Sequence, residues 1–166
     1  MEYMSKKHLY WLSGILVAVA LAWVLFGYLG VQYLFTDTVV SEEVSMETKT
    51  TVADGVFVQG DSTYSISGAV SVIEDSGTRM LALTDFTVTN GPDLFVYIVS
   101  SESDENRNVK NAVSEGKFVN LGPLKGNIGN QTYQIPEGVV IDENTVVSIW
   151  CKRFSRNFGA AKLVLK

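Results

Sequence analysis

Apolar positions are arranged along this chain in two ways. From Leu9 to Phe35 they run almost unbroken, with no Asp, Glu, Lys or Arg. A helix of that length reaches about 40 Å, beyond the roughly 30 Å of a bilayer's hydrocarbon core. The pattern therefore predicts a membrane-spanning helix over 9–35. From Ala53 onward the period shortens to two. Tyr64, Ile66, Gly68, Val70 and Val72 alternate with Ser65, Ser67, Ala69 and Ser71, and similar short runs are broken by Gly60-Asp61, Asp75-Ser-Gly77 and Asn90-Gly-Pro92. Alternation bounded by Gly, Asn, Asp and Pro is the mark of half-buried strands.

Strands are expected at 56–59, 63–73, 78–89 (one or two), 93–99, 117–121, 132–135, 139–141, 145–152 and 162–165. Residues 100–116 read as a solvated loop, and Gly122–Gln131 as a glycine-rich turn. Closely spaced short strands without a long helical stripe imply an all-β ectodomain, a β-sandwich of jelly-roll-like or DOMON-like form. The expected organisation is a cytoplasmic tail over 1–8, the transmembrane helix over 9–35, a polar extended stalk over 36–52 and the sandwich over 53–166.

The flanks of the apolar run set its orientation. Lys6 and Lys7 precede it, whereas Asp37, Glu42, Glu43 and Glu47 follow. The positive-inside bias then puts the N-terminus in the cytoplasm and the domain outside, as a single-pass protein of the cell membrane. A cleaved signal peptide is the competing reading, but its apolar region is shorter and ends in small residues, not in Gln32-Tyr-Leu-Phe35. Gly14, Ala18 and Ala22 fall four apart, a spacing that lets two helices approach closely and raises a weak helix–helix dimer as an expectation beside the lipid bilayer itself.

Charge narrows the function. Residues 37–166 carry 11 Lys/Arg against 17 Asp/Glu, a net charge of −6. Without a basic field the domain is no partner for nucleic acid. The one histidine, His8, precedes the span, so the domain has no Ser-His-Asp or Cys-His site and lacks the ligands of a zinc centre. No carboxylate pair stands out for glycosidic chemistry, and no calcium-loop spacing occurs. Gly122–Gly129 lacks the Gly-Lys-Ser/Thr of a phosphate loop.

What remains is Cys151, the single cysteine, which excludes an internal disulfide. As a strand residue it shares a face with Val147 and Ile149, opposite Trp150. Two readings stand. It is a small hydrophobe filling the core, or a redox thiol that Lys152, Arg153 and Arg156 favour as thiolate.

Several stretches resemble the DM-thirteen domain family. They are Gly55-Val-Phe57, Gly68-Ala-Val70, Leu83-Thr-Asp-Phe86, Asn90-Gly-Pro-Asp-Leu-Phe-Val-Tyr97, Leu121–Tyr133 with its Gly129-Asn130-Gln131, and Ser148–Ala160 with Phe154 and Phe158. The resemblance covers about Gly55 to Leu165. It implies an extracytoplasmic β-sandwich of electron-transfer type, found in animals beside DOMON and cytochrome b-type modules. Its motif cysteine, matching Cys151, would act as a bare thiol or as a ligand to haem. The bare thiol is the expectation here, with a separate membrane oxidoreductase as partner, and with Asn90, Gly91, Pro92 and Asp93 among the motif positions. The alternative is a non-catalytic cell-surface module that binds a protein, or a glycan on Tyr97, Tyr133, Trp150, Phe154 and Phe158.

Overall fold

The computed structural model describes residues 6–34, 36–43 and 50–166. It comprises two compact units, Met1–Thr36 and Asp37–Lys166. Residues 1–5 of the expected tail and 44–49 of the expected stalk lie outside the described residues, whereas Lys6, Lys7 and His8 of that tail are already helical.

The first unit is helical. Helix α1 spans Lys6–Ala22 and continues as a π-helical segment, Trp23–Tyr28, where Leu29 N–H donates to the Val24 carbonyl at 2.8 Å. Gly30, at φ +66°, ends the run because only glycine takes the left-handed conformation without steric cost, and a 3-10 turn follows over Val31–Leu34. Tyr10–Tyr28 has a mean hydropathy of 2.0 and no buried position. Among the described residues it is the one helix long and apolar enough to cross a membrane. Its 19 residues rise about 28 Å, so the regular helix is shorter than the apolar stretch 9–35. Gly14, Ala18 and Ala22 lie exposed on α1.

The second unit is a two-sheet β-sandwich. Its strands are β1 (Val39–Ser41), β2 (Thr50–Val56), β3 (Val58–Gln59), β4 (Ile66–Asp75), β5 (Thr78–Val88), β6 (Leu94–Ser100), β7 (Phe118–Pro123), β8 (Ile128–Gln134), β9 (Thr145–Cys151), β10 (Arg156–Lys162) and β11 (Val164–Leu165). One sheet has the order β1-β8-β5-β4-β2-β11 and the other β3-β10-β9-β6-β7. All pairings are antiparallel except β1 with β8.

Alternation along the strands builds the core as expected. Val70 and Val72 of β4, Leu81 and Leu83 of β5, and Val147, Ile149 and Cys151 of β9 meet in one buried cluster. Strand β9 differs from the others because all seven of its residues are buried. Its second face, with Val146 and Trp150, packs on a helix, α2 (Asn106–Ser114), through Val109 and Ala112.

That helix corrects the expectation of a solvated loop over 100–116. Its buried positions are only three apart, too brief a pattern to register as a stripe, and packing on the sheet rather than propensity stabilises it. Three further differences follow from long-range pairing. Residues 128–131 are strand because β5 pairs with them. The segment 139–141 forms no strand. The described parts of the stalk from Asp37 onward belong to the domain: Val39–Ser41 pairs with Ile128–Asn130, and Glu42 accepts from Lys125 Nζ and from Thr132 N–H.

Candidate functional site

Cys151 is the last residue of β9, opposite Leu94 of β6 and Arg156 of β10. The strand ends there because Lys152–Ser155 turns back into β10, with Ser155 at φ +50°. The thiol is fully buried, and its Sγ–H donates to the carbonyl of Pro92, 59 residues away, at 3.0 Å. Lys152 N–H donates to the Asp93 carbonyl at 3.0 Å, clamping the same two segments one residue further on. The Asn90–Asp93 and Ile149–Lys152 blocks, remote in sequence, meet at these bonds.

An aromatic pair packs into the same cluster. Tyr64 stacks on Phe158 with ring centroids 3.6 Å apart and planes 8° from parallel. Gly91 is required beside it, since a Cβ there would sit 2.8 Å from Phe158 Cζ.

Electrostatics at the sulfur are set first by burial, which raises the Cys151 pKa above its ordinary value. The N–H of Phe154 works against this, the Asp93 charge adds to it, and the N–H and guanidinium of Arg153 again oppose it. Burial wins, so the folded-state thiol is protonated. Tyr64 is likewise raised, mainly by burial and then by Cys151.

The cationic cluster expected around the thiol disperses. Lys152 Nζ lies 5.5 Å from the Phe95 ring centroid, and Arg156 lies 3.9 Å from Asp61 Oδ2. Only Arg153 acts on the sulfur. Trp150 faces the other way, into the cluster beneath α2. The five aromatic residues considered for a sugar platform are also divided. Tyr97 and Trp150 lie on the outer face of their sheet, Tyr133 and Phe158 belong to the core, and Phe154 is exposed in the turn.

Gly129, Asn130 and Gln131 lie in the other sheet and build it. A Cβ on Gly129, at φ +100°, would strike the carbonyl oxygen of Val40. Asn130 Oδ1 accepts from Asp85 N–H at 2.9 Å. Gln131, fully buried, donates to the Gly126 carbonyl at 2.9 Å and accepts from the Tyr133 hydroxyl at 2.7 Å. Burial raises the Tyr133 pKa to about 12.

Two polar features escaped the sequence reading. Asp61 accepts from Asn106 at 2.8 Å and from Lys110 at 2.9 Å, joining the loop after β3 to α2. In sequence Gly60-Asp61 reads only as a turn. Ser148 and Asn157, both fully buried, are hydrogen-bonded at 3.0 Å between β9 and β10, and a serine sharing a strand face with Val146 and Trp150 was the available signal.

Among the described residues no three His, Cys, Asp or Glu side chains converge as a metal site. Haem, one of the two roles that the resemblance offers for Cys151, does not fit this arrangement. An axial thiolate needs an open face at sulfur, and Cys151 Sγ is covered and hydrogen-bonded to Pro92.

Fold and site together define an all-β sandwich with a covered thiol where its central motif blocks cross. Residues 57–163, more than half of the chain, match the family model described as Electron transfer DM13, and the chain belongs to that family. No curated protein and no solved structure matches the chain.

Proposed function

We propose that this chain is a membrane-anchored, extracytoplasmic electron-transfer domain whose redox group is Cys151. The observation that carries the reading is the bond from Cys151 Sγ to the Pro92 carbonyl, which joins two separated blocks of the family pattern at the chain's one thiol. The apolar helix Tyr10–Tyr28 supports the anchoring, and the Lys6/Lys7 flank supports the orientation.

A covered, protonated thiol does not attack from the packed state, because the thiolate is the nucleophile. Reaction requires local opening, and the Lys152–Ser155 turn, exposed throughout, is the segment that covers the strand end. The partner's redox group is then a disulfide on a separate membrane protein. On opening, the Sγ–H proton passes to water and sulfur attacks the disulfide. A new S–S bond joins Cys151 to one partner sulfur and the other leaves as thiolate with the electron pair. A low-molecular-weight thiol such as glutathione then attacks that partner sulfur, takes Cys151's place in the S–S bond and releases Cys151 as thiolate.

Oxidised and reduced glutathione at graded ratios test this on the full chain in phosphatidylcholine nanodiscs. The expected result is a reversible one-to-one adduct on Cys151 that follows the ratio while the far-ultraviolet β signal stays constant. Absence of an adduct, or one gained only with loss of β signal, would return Cys151 to a core-filling role.

A further inference from the structure

We infer that the outer face of the β3-β10-β9-β6-β7 sheet, beside α2, carries a binding site for a planar aromatic anion, distinct from the thiol. A concavity of about 430 Å³ opens there, within the range of small-molecule sites. Tyr97, Phe118 and Trp150 line it as a nearly parallel set. The Tyr97 and Phe118 planes lie 17° apart with centroids at 4.5 Å, and those of Tyr97 and Trp150 lie 20° apart at 6.3 Å. Tyr97 and Trp150 are nearly buried, so a flat guest meets the half-buried Phe118 ring and the edges of the other two, a setting that suits a planar aromatic ring.

The polar groups at this site are cationic or neutral. Lys110 reaches it from α2 and Lys152 from the turn after β9; serines complete the rim, and no carboxylate or carboxamide lines it. Lys110 is held in place by Asp61 at 2.9 Å. Tyr97 and Trp150 are 3% and 6% exposed. The Tyr97 hydroxyl and the Trp150 indole N–H have no protein hydrogen-bond partner among the described residues. Nor are they among the sealed unpartnered atoms, which are Asn106 Oδ1 and Asn157 Nδ2.

The hydroxyl and the indole N–H therefore both reach solvent, and a ligand that accepts from them can take the place of water there. Ammonium and indole groups only donate. A carboxylate on an aromatic ring satisfies them. A neutral sugar, whose hydroxyls also need acceptors, would find no acidic or amide side chain here. Because Trp150 and Cys151 project from opposite faces of β9, the site does not depend on the redox reading.

Calorimetric titration of the full chain in phosphatidylcholine nanodiscs, with empty discs as blank, provides the test. The probe is 2-naphthoate, compared with neutral 2-naphthalenemethanol and with N-acetylglucosamine. The expected result is saturable naphthoate binding with a Kd of about 1 mM or tighter, in line with the affinity a ligand of this size reaches. The alcohol should bind at least about fivefold more weakly, since it lacks the charge that the lysines recognise. Lys152→Glu, at an exposed position, should weaken naphthoate at least about fivefold by charge reversal, and Val113→Trp should fill the concavity and abolish binding. Cys151→Ala should bind as the parent does. No saturation above the blank, equal binding of the alcohol, saturation by the sugar instead, or indifference to Lys152→Glu would each overturn the inference. Loss of binding in Cys151→Ala would overturn its independence from the thiol.

Discussion

Cys151 illustrates how far a residue's surroundings can depart from its neighbours in sequence. The strand period placed it correctly with Val147 and Ile149 on the inward face. The three nearby cations suggested a thiolate, but side chains following a strand end diverge, and two of them engage Phe95 and Asp61 instead. The decisive partner, the Pro92 carbonyl, lies too far away in sequence for any local pattern to reveal it. Cys151→Ala should cost roughly 1–2 kcal/mol in denaturant unfolding, from one small cavity and an unpaired carbonyl. Cys151→Ser should recover part of that loss, because a hydroxyl can also donate to Pro92; a serine variant no more stable than alanine would contradict the bond's role. Gly91→Ala should cost about 1–3 kcal/mol, since its methyl group would sit 2.8 Å from Phe158 Cζ and disturb the Tyr64 stack.

At the scale of elements, strands with clean alternation were legible and those made by pairing were not. Strand β4 announced itself through Val70 and Val72. Strand β1 and the first half of β8 did not, because Gly129 and the short Val39–Ser41 segment make sense only beside each other. Helix α2 was hidden for the same reason, its stability coming from Tyr97, Val99 and Trp150 beneath it. The ion pair that ties α2 down gives a pH signature. Burial raises the Asp61 pKa, but hydrogen bonds from Lys110 and Asn106, with the charges of Lys110 and Arg156, outweigh it and the net shift is downward. A carboxylate with a depressed pKa stabilises the fold above its unfolded value of 3.8 and loses that contribution as pH falls through the folded value. Asp61→Asn should therefore cost about 1–3 kcal/mol near neutral pH. The gap to the parent should close as the pH falls below about 4. A gap of constant size would show that the carboxylate's charge is not what holds α2.

For the whole molecule, the apolar run and the change of period after Ala53 were enough to read a helix followed by a β-sandwich. The boundary between them was not legible, because a polar segment that supplies one edge strand looks like a linker. The compact unit begins at Asp37, and Glu42 ties that edge to Lys125 and Thr132. A 37–166 fragment should accordingly melt several degrees above a 52–166 fragment, each followed by circular dichroism; equal melting temperatures would make the segment dispensable. Protease added to intact cells should remove the chain beyond about residue 37, and full protection of the C-terminus would reverse the proposed topology.

The central claim is that Cys151 reacts through local opening of the Lys152–Ser155 turn. Thiol labelling of the full chain, set beside hydrogen exchange of the β9 amides, tests it directly. The labelling rate should fall well below that of the unfolded chain, yet exceed the rate of global opening reported by Val147 and Ile149. Labelling that coincides with global opening would contradict the claim and leave the thiol as part of the core.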